Sequence, residues 1–166
     1  MDTQVADLLG GERVLGASVK SNLDLARAIR TGLPAETAVQ LAELILDLEP
    51  LRGDFGPWEK GSAAALKESL LLGFVREALN RRKAGNGEEH SPPARLTPEQ
   101  SDAVVRTAGA MAKAIDVLGD RKKAAHWLTT PNRALGGEIP ITLLDTSAGA
   151  HEVEAVLDRV EYGVYS

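Results

Sequence analysis

The stretch that decides the fold is residues 97–119, TPEQSDAVVRTAGAMAKAIDVLG. Thr97 can cap a helix whose first position is Pro98, and Gln100, three residues after Thr97, completes a capping box. Apolar residues then recur at alternating spacings of four and three, the period of a helix with one buried face. They are Val104, Ala108, Met111, Ile115 and Leu118, followed by a stop at Gly119. This stripe predicts a long helix that needs a partner surface, either an intradomain core or a dimer seam.

Helical signals also precede this stretch. Residues 21–32, SNLDLARAIRTG, have Asn22 as an expected N-cap and Gly32 as a stop, and residues 33–50 place Pro34 in a first helical turn. Residues 51–61 are rich in glycine and turn residues, and a further helix is expected from Ser62 to Gly85. We therefore expect the first part of the chain to consist of short helices.

The same reading applies after Gly119. Asp120 is expected to cap a short helix that ends before Pro131, and Pro140 begins another helical turn. Thr146 or Ser147 is expected to cap a last helix that stops at Gly163. Its predicted apolar face consists of Val153, Val156, Leu157 and Val160. Because no segment alternates with period two, the predicted fold class is all-α.

A domain boundary is expected in residues 86–95, NGEEHSPPAR, which are polar, contain two adjacent prolines and show no apolar period. The sequence thus predicts a region at residues 1–94 and a small helical domain at residues 95–166. The excess of negative charge lies in the last 29 residues of the chain. Residues 1–137 carry 18 acidic and 18 basic side chains, whereas residues 138–166 carry six acidic and one basic. An acidic final segment suits a basic protein surface, although a solvated helix gives the same balance.

Composition excludes several classes of function. The chain has no cysteine, so disulfides and thiolate metal sites are excluded. It has no apolar run long enough to cross a membrane and no secretion signal, so we expect a soluble cytoplasmic protein without a membrane partner. Phosphate-binding loops, nucleophile elbows and dinucleotide fingerprints are absent from the sequence, and the scattered His90, His126 and His151 make no site. We therefore expect a protein that is not an enzyme and uses no metal or cofactor.

One basic cluster could contact DNA. It lies near the C-terminal end of the helix predicted for residues 62–85 and consists of Arg76, Asn80, Arg81, Arg82 and Lys83. Arginine and asparagine make bidentate contacts with guanine and adenine edges. Cations are also favoured at helix C-termini by the helix dipole, which explains part of the pattern without DNA.

A family resemblance rests on rare residue types that recur in order through residues 95–166. The segment closely resembles the toxin-binding domain of the Xre/MbcA/ParS-type antitoxins. The residues that carry the resemblance are Arg95, Leu96, Thr97, Glu99, Ser101, Trp127, Leu128, Pro131, Asn132, Leu135, Gly136, Gly137, Pro140, Leu143, Leu144, Asp145, Thr146, Gly149, Val153, Leu157, Arg159 and Gly163. We expect those between Trp127 and Thr146 to form scaffold, with Leu143 and Leu144 buried.

Residues 1–94 are similar to the Xre-like helix-turn-helix half of the same antitoxins, through the segments TGLPAETAVQLAELI and ALNRRKAG. The turn-rich residues 51–61 depart from that pattern. The resemblance implies a dimeric antitoxin of a type II toxin–antitoxin system, whose N-terminal half binds operator DNA and represses its own operon. The implied partner is a RES-domain toxin, related to ADP-ribosyltransferases, which consumes NAD or transfers ADP-ribose to a target. In this family the C-terminal end of the antitoxin plugs the active-site cleft of the toxin.

The resemblance implies that the last residues, RVEYGVYS, bind the toxin. Both tyrosines of the chain, Tyr162 and Tyr165, stand there, where Gly163 is expected to bend the chain out of the last helix. Aromatic side chains supply contact area at little cost in rotamer entropy, and a terminal carboxylate on Ser166 would mimic an anionic dinucleotide. The residues predicted to bind toxin are Arg159, Glu161, Tyr162, Gly163, Val164, Tyr165 and Ser166. The alternative is a freestanding helix-turn-helix regulator without a toxin partner.

Overall fold

A computed structural model describes residues 2–16, 18–48 and 95–163. Within these ranges the structure contains helices and one short 3₁₀ turn, Arg133–Leu135, and no strand, so the predicted all-α fold class is confirmed for the described residues. The helices are α1 Asp2–Leu8, α2 Gly11–Leu15, α3 Asn22–Thr31, α4 Ala35–Leu48, α5 Pro98–Leu118, α6 Arg121–Thr129, α7 Pro140–Leu143 and α8 Ser147–Glu161.

Helix α5 begins and ends where the sequence predicts. The Thr97 hydroxyl accepts a hydrogen bond from the Gln100 backbone N–H at 3.2 Å, and the Thr97 N–H donates to the Gln100 side chain at 2.9 Å. The capping box therefore satisfies two N–H groups that a helix start leaves without a backbone partner. At the other end the Gly119 N–H donates to Ile115 O at 2.8 Å, which closes the last turn.

The buried surface of α5 is wider than one stripe. Val104, Ala108 and Met111 are fully buried as predicted, while Ile115 and Leu118 are partly buried at the edge of the core. Alanines at other positions around the helix are also buried, namely Ala103, Ala110, Ala112 and Ala114. Because α1, α3, α4, α6 and α8 all contact α5, this helix lies at the centre of the core, and the stripe serves intradomain packing.

The N-terminal helices follow their expected order with a small difference in capping. Ser21, not Asn22, caps α3: the Ser21 hydroxyl accepts from Asp24 N–H at 3.2 Å and donates to the Asp24 carboxylate at 2.8 Å. Gly32 ends α3 as predicted. Helix α4 begins at Ala35, directly after Pro34, and its Leu41 and Ile45 are buried in the core.

The loop between α3 and α4 is bonded to the residues that lead into α5. Leu96 N–H donates to Leu33 O at 2.8 Å, and Leu33 N–H donates to the hydroxyl of the buried Ser101 at 2.9 Å. The Arg95 guanidinium donates to Gly32 O at 2.7 Å. The described helices on both sides of the predicted boundary therefore share one hydrophobic cluster. The division at residue 94 stays a prediction, since residues 49–94 lie outside the described ranges.

Replacing Ser101 by alanine tests this junction. Ser101→Ala leaves the buried Leu33 N–H without its acceptor, so we expect the free energy of unfolding to fall by about 1–3 kcal/mol. Equilibrium urea unfolding followed by circular dichroism measures the change. The control is Ser147→Ala, because Ser147 is exposed in the first turn of α8 and should change stability by no more than about 0.5 kcal/mol. Equal stability of the two variants would contradict the bonding described here.

Candidate functional site

Residues 127–144 build a scaffold in front of the last helix. Asn132 organises the turn after α6: its side chain accepts from Ala134 N–H at 2.9 Å, and its backbone N–H donates to Glu138 O at 3.0 Å. Trp127 packs against the core while partly exposed, and Leu144 is buried as predicted. Leu143, which was expected to be buried, is only partly buried and packs against the edge of the core. The turn at Asn132 and the buried Leu144 thus position the backbone that leads into α8, and the scaffold role of the other residues stays a prediction.

The turn between α7 and α8, residues 144–146, is called the elbow here, and it fixes where the last helix starts. The Thr146 hydroxyl accepts from Gly149 N–H at 3.1 Å, which selects Thr146 over Ser147 as the N-cap. Gly149 is required there by close packing, since a Cβ atom at this position would overlap the carbonyl oxygen of Leu143. The cap and the missing side chain together set the angle at which α8 leaves α7.

Helix α8 is anchored to α5 along its length. Its apolar face buries Val153, Val156 and Leu157, as predicted, and Val160 lies at the margin of the core. Burying one such side chain completely is worth about 1.5–3 kcal/mol, so three of them hold the helix firmly. Near the end of α8, Asp158 pairs with Lys113 of α5, with Lys113 Nζ 2.5 Å from the carboxylate oxygen.

The predicted toxin-binding residues lie at the free end of this helix. Arg159 and Glu161 are exposed, and Arg159 Nε donates to Ala155 O at 3.2 Å within α8. Tyr162 N–H donates to Asp158 O at 3.0 Å, which places Tyr162 on the last helical turn with 76% of its surface exposed. The chain then turns at Gly163, whose φ of 67° is in the region that favours glycine. Tyr162 therefore gains no core contact and is available to a partner.

Several predicted residues lie outside the described ranges. Val164, Tyr165 and Ser166 follow the last described residue, and the DNA-contact residues Arg76, Asn80, Arg81, Arg82 and Lys83 fall within residues 49–94. Their roles stay predictions. His126 and His151 are exposed, and His90 lies outside the described part of the chain. Among the described residues no group of three or more carboxylates and histidines could hold a metal ion, and no helix is long and apolar enough to cross a membrane.

Sequence reasoning missed the polar contacts that fasten α5 to the region around α8. Lys113 and Arg106 both stand on α5, and Arg106 bonds to the carbonyl oxygens of Leu144 and Asp145. The one available signal was their spacing of seven residues, which puts two cations on the same side of a helix that is otherwise rich in alanine.

The comparisons with known proteins point to the same region. Residues 113–163 match the model of the antitoxin Xre/MbcA/ParS C-terminal toxin-binding domain. The chain is 38% identical to the antitoxin Xre of Yersinia enterocolitica serotype O:8 over 95 residues, which are 57% of this chain and 60% of that relative. It is 33% identical to the antitoxin Xre of Photorhabdus laumondii over 97 residues, 58% of this chain and 61% of the relative. With the antitoxin Xre of Pseudomonas putida it shares 35% identity over 68 residues, 41% of this chain and 43% of the relative.

These findings confirm the resemblance to Xre/MbcA/ParS-type antitoxins that the sequence predicts. The family model covers the last six residues of α5 and everything from there through the turn at Gly163. The chain spans about three fifths of the length of the first two relatives. The matched part thus includes the elbow, α8 and the exposed Tyr162.

Gly149 offers a test of the elbow with a matched control inside α5. Gly149→Ala should lower the free energy of unfolding by about 1–3 kcal/mol, because the added methyl group collides with the Leu143 carbonyl. Gly109→Ala meets no atom within 4 Å and lies in the interior of α5, so it should raise stability by up to about 1 kcal/mol. Thermal and urea unfolding of both variants measure the difference, and effects of the same sign would contradict the packing at Gly149.

Proposed function

We propose that this chain is an antitoxin that binds and inhibits a RES-domain toxin, and that it acts by occlusion rather than by catalysis. The observation that carries the proposal is the match of residues 113–163 to a toxin-binding domain, together with relatives named antitoxin Xre. The partner is a RES-domain protein that consumes NAD or transfers ADP-ribose, as the sequence resemblance implies. The inhibiting segment is residues 159–166.

The geometry of α8 supports this mechanism. A rigid helix ends at Glu161 and presents Tyr162 almost fully to solvent, while its other side is buried against the core. Tyrosine offers a large apolar ring with a hydroxyl at its end, and it is enriched among residues that dominate binding energy. In the proposed complex, Tyr162 and the residues after it fill the cleft that receives NAD. The aromatic surface then gains the burial that it lacks in the free chain.

The charge of the same region supports a partner with a basic cleft. Of the seven charged residues between 138 and 166, only Arg159 is basic, and the exposed acidic residues include Asp145, Glu152, Glu154 and Glu161. A site that binds an anionic dinucleotide supplies cations and hydrogen-bond donors. The net negative charge of residues 138–166 therefore favours approach to such a cleft and speeds association at low salt.

Two variants of exposed apolar residues test the role of Tyr162. Tyr162→Ala should weaken inhibition of the toxin about tenfold or more, while Leu23→Ala should leave it unchanged. Leu23 is a matched control because it is also large, apolar and 58% exposed, but stands on α3. The measurement is NAD consumption by the RES-domain protein encoded beside this chain, titrated with each variant.

Deleting Tyr162 to Ser166 extends the test to the whole segment. The truncated chain keeps the buried face of α8, so it should stay folded and yet fail to neutralise the toxin. Full neutralisation by a truncated chain with unchanged circular dichroism would refute the occlusion mechanism. Absence of any complex with the neighbouring gene product would instead favour the freestanding regulator.

The proposal also includes repression of the chain's own operon through DNA binding by a homodimer. It rests on the basic cluster Arg76, Asn80, Arg81, Arg82 and Lys83, and on the similarity of residues 1–94 to helix-turn-helix antitoxin halves. Under this proposal an antitoxin–toxin complex contains two copies of the chain, which read the two halves of an operator.

Neutralising two of these cations tests the DNA contact. The double variant Arg81→Ala, Arg82→Ala should weaken operator binding and reduce the slope of log K against log salt by about 2, because each phosphate contact contributes roughly one unit. The control removes Arg121 and Lys122, two exposed cations on α6, and should change the slope much less. Fluorescence anisotropy with the promoter fragment across a salt series measures both, and equal slopes would contradict the assignment.

A further inference from the structure

Two cations on α5 reach the segment that carries the exposed Tyr162. Arg106 and Lys113 stand seven residues apart, which places them on the same side of α5 two turns from each other. Arg106 bonds to the residues just before α8, and Lys113 bonds to a residue in the last turns of α8. The two contacts therefore act near opposite ends of one helix.

Arg106 holds the starting point of α8. Its Nε donates to Leu144 O at 3.2 Å, its Nη2 donates to Asp145 O at 2.9 Å, and its Nη1 pairs with the Asp102 carboxylate. A guanidinium is planar and its donors have fixed directions, so three partners determine both its position and its tilt. The two carbonyls immediately precede Thr146, the N-cap of α8. The position of the N-cap relative to α5 is thereby fixed.

Lys113 holds the far end of the same helix. Its side chain is largely buried, 18% exposed, and pairs with the half-exposed carboxylate of Asp158. Asp158 lies one turn before Tyr162 and its backbone oxygen accepts the Tyr162 N–H. The ion pair therefore acts on the turn that presents Tyr162.

Apolar packing alone does not fix the direction of α8. Packing of the buried face of Val153, Val156 and Leu157 is non-directional and does not by itself prevent a small tilt of the helix. Helix α8 has 15 residues, so at 1.5 Å per residue a tilt of about 10° about its start displaces its end by roughly 4 Å. A side chain displaced by this distance no longer reaches a narrow cleft in a partner. Polar contacts at both ends limit the tilt.

We propose that Arg106 and Lys113 are positioning residues, which set the direction of α8 and so aim the segment that begins at Arg159 at the cleft of the toxin. The inference rests on the proposed function and adds the residues that preorganise it. Preorganisation increases affinity by reducing the ordering that binding requires. Since Lys113 is largely buried, its replacement also affects folding, and the charge-reversed pair with Asp158 separates loss of position from loss of stability.

The first experiment measures the direction of α8 in the free chain. Since the sequence has no cysteine, Lys122→Cys on α6 and Glu161→Cys on α8 give two unique sites for spin labels. Electron–electron distance measurements should give a narrow distribution in the otherwise unchanged chain. Lys113→Glu and Arg106→Gln should each broaden or shift it. The double variant Lys113→Glu, Asp158→Lys should restore it, because the ion pair is rebuilt with reversed charges.

The second experiment measures inhibition of the neighbouring RES-domain protein without labels. Lys113→Glu should raise the inhibition constant about tenfold, and the charge-reversed double variant should recover most of the loss. Lys113→Gln provides a neutral replacement in case Lys113→Glu disturbs folding. The control is Arg27→Glu, which breaks the 3.7 Å ion pair with Asp24 on α3 and should leave inhibition unchanged.

The outcomes separate this inference from the proposed function. If deletion of Tyr162 to Ser166 abolishes inhibition while Lys113→Glu and Arg106→Gln alter neither the distances nor the inhibition constant, the positioning role is wrong and occlusion stands. If the deletion has no effect, occlusion itself is wrong. Failure of the charge-reversed variant to recover either readout also overturns the positioning role, since loss without rescue indicates general damage to the fold.

Discussion

The structure depends on the burial of α5 by helices on several sides. Ala108, Ala112 and Ala114 are fully buried, and their small side chains let neighbouring helices approach closely. Helix α5 contacts α1, α3, α4, α6 and α8. Its start and stop are accordingly closed by Thr97 and Gly119, which satisfy terminal backbone groups locally. Displacing α5 would move the N-terminal helices and α8 together.

Local signals predicted most of the described helices. Capping residues and apolar spacing involve neighbours within four residues, so the boundaries of α5, α6 and α8 could be inferred from the sequence. The predicted N-cap of α3, Asn22, was wrong; the available signal was Asp24 three residues after Ser21, the spacing at which the two side chains bond in the structure. The hydrogen bond from the Leu33 N–H to the Ser101 hydroxyl joins residues that are 68 positions apart in the chain. No periodic pattern in the sequence indicates such a contact.

In the candidate site, too, the features set by neighbouring residues could be predicted from the sequence, and those set by residues distant in the chain could not. The turn at Gly163 and the position of Tyr162 at the helix end follow from sequence, and the structure adds that Tyr162 faces solvent. The direction of that end could not be predicted, because it depends on contacts of Arg106 and Lys113 with residues far along the chain. A buried face therefore holds α8 in place, while its end is exposed.

Competition between this chain and NAD for the toxin tests the central claim most directly. Under the proposed function, the measurement is the Kd of the chain for a RES-domain toxin encoded by the adjacent gene, at increasing concentrations of an NAD analogue that the toxin cannot cleave. Occlusion of the cleft by residues 159–166 predicts that the apparent Kd rises in proportion to the analogue once its own binding site is saturated. An apparent Kd that stays constant at saturating analogue would show that chain and dinucleotide bind together, and would contradict occlusion.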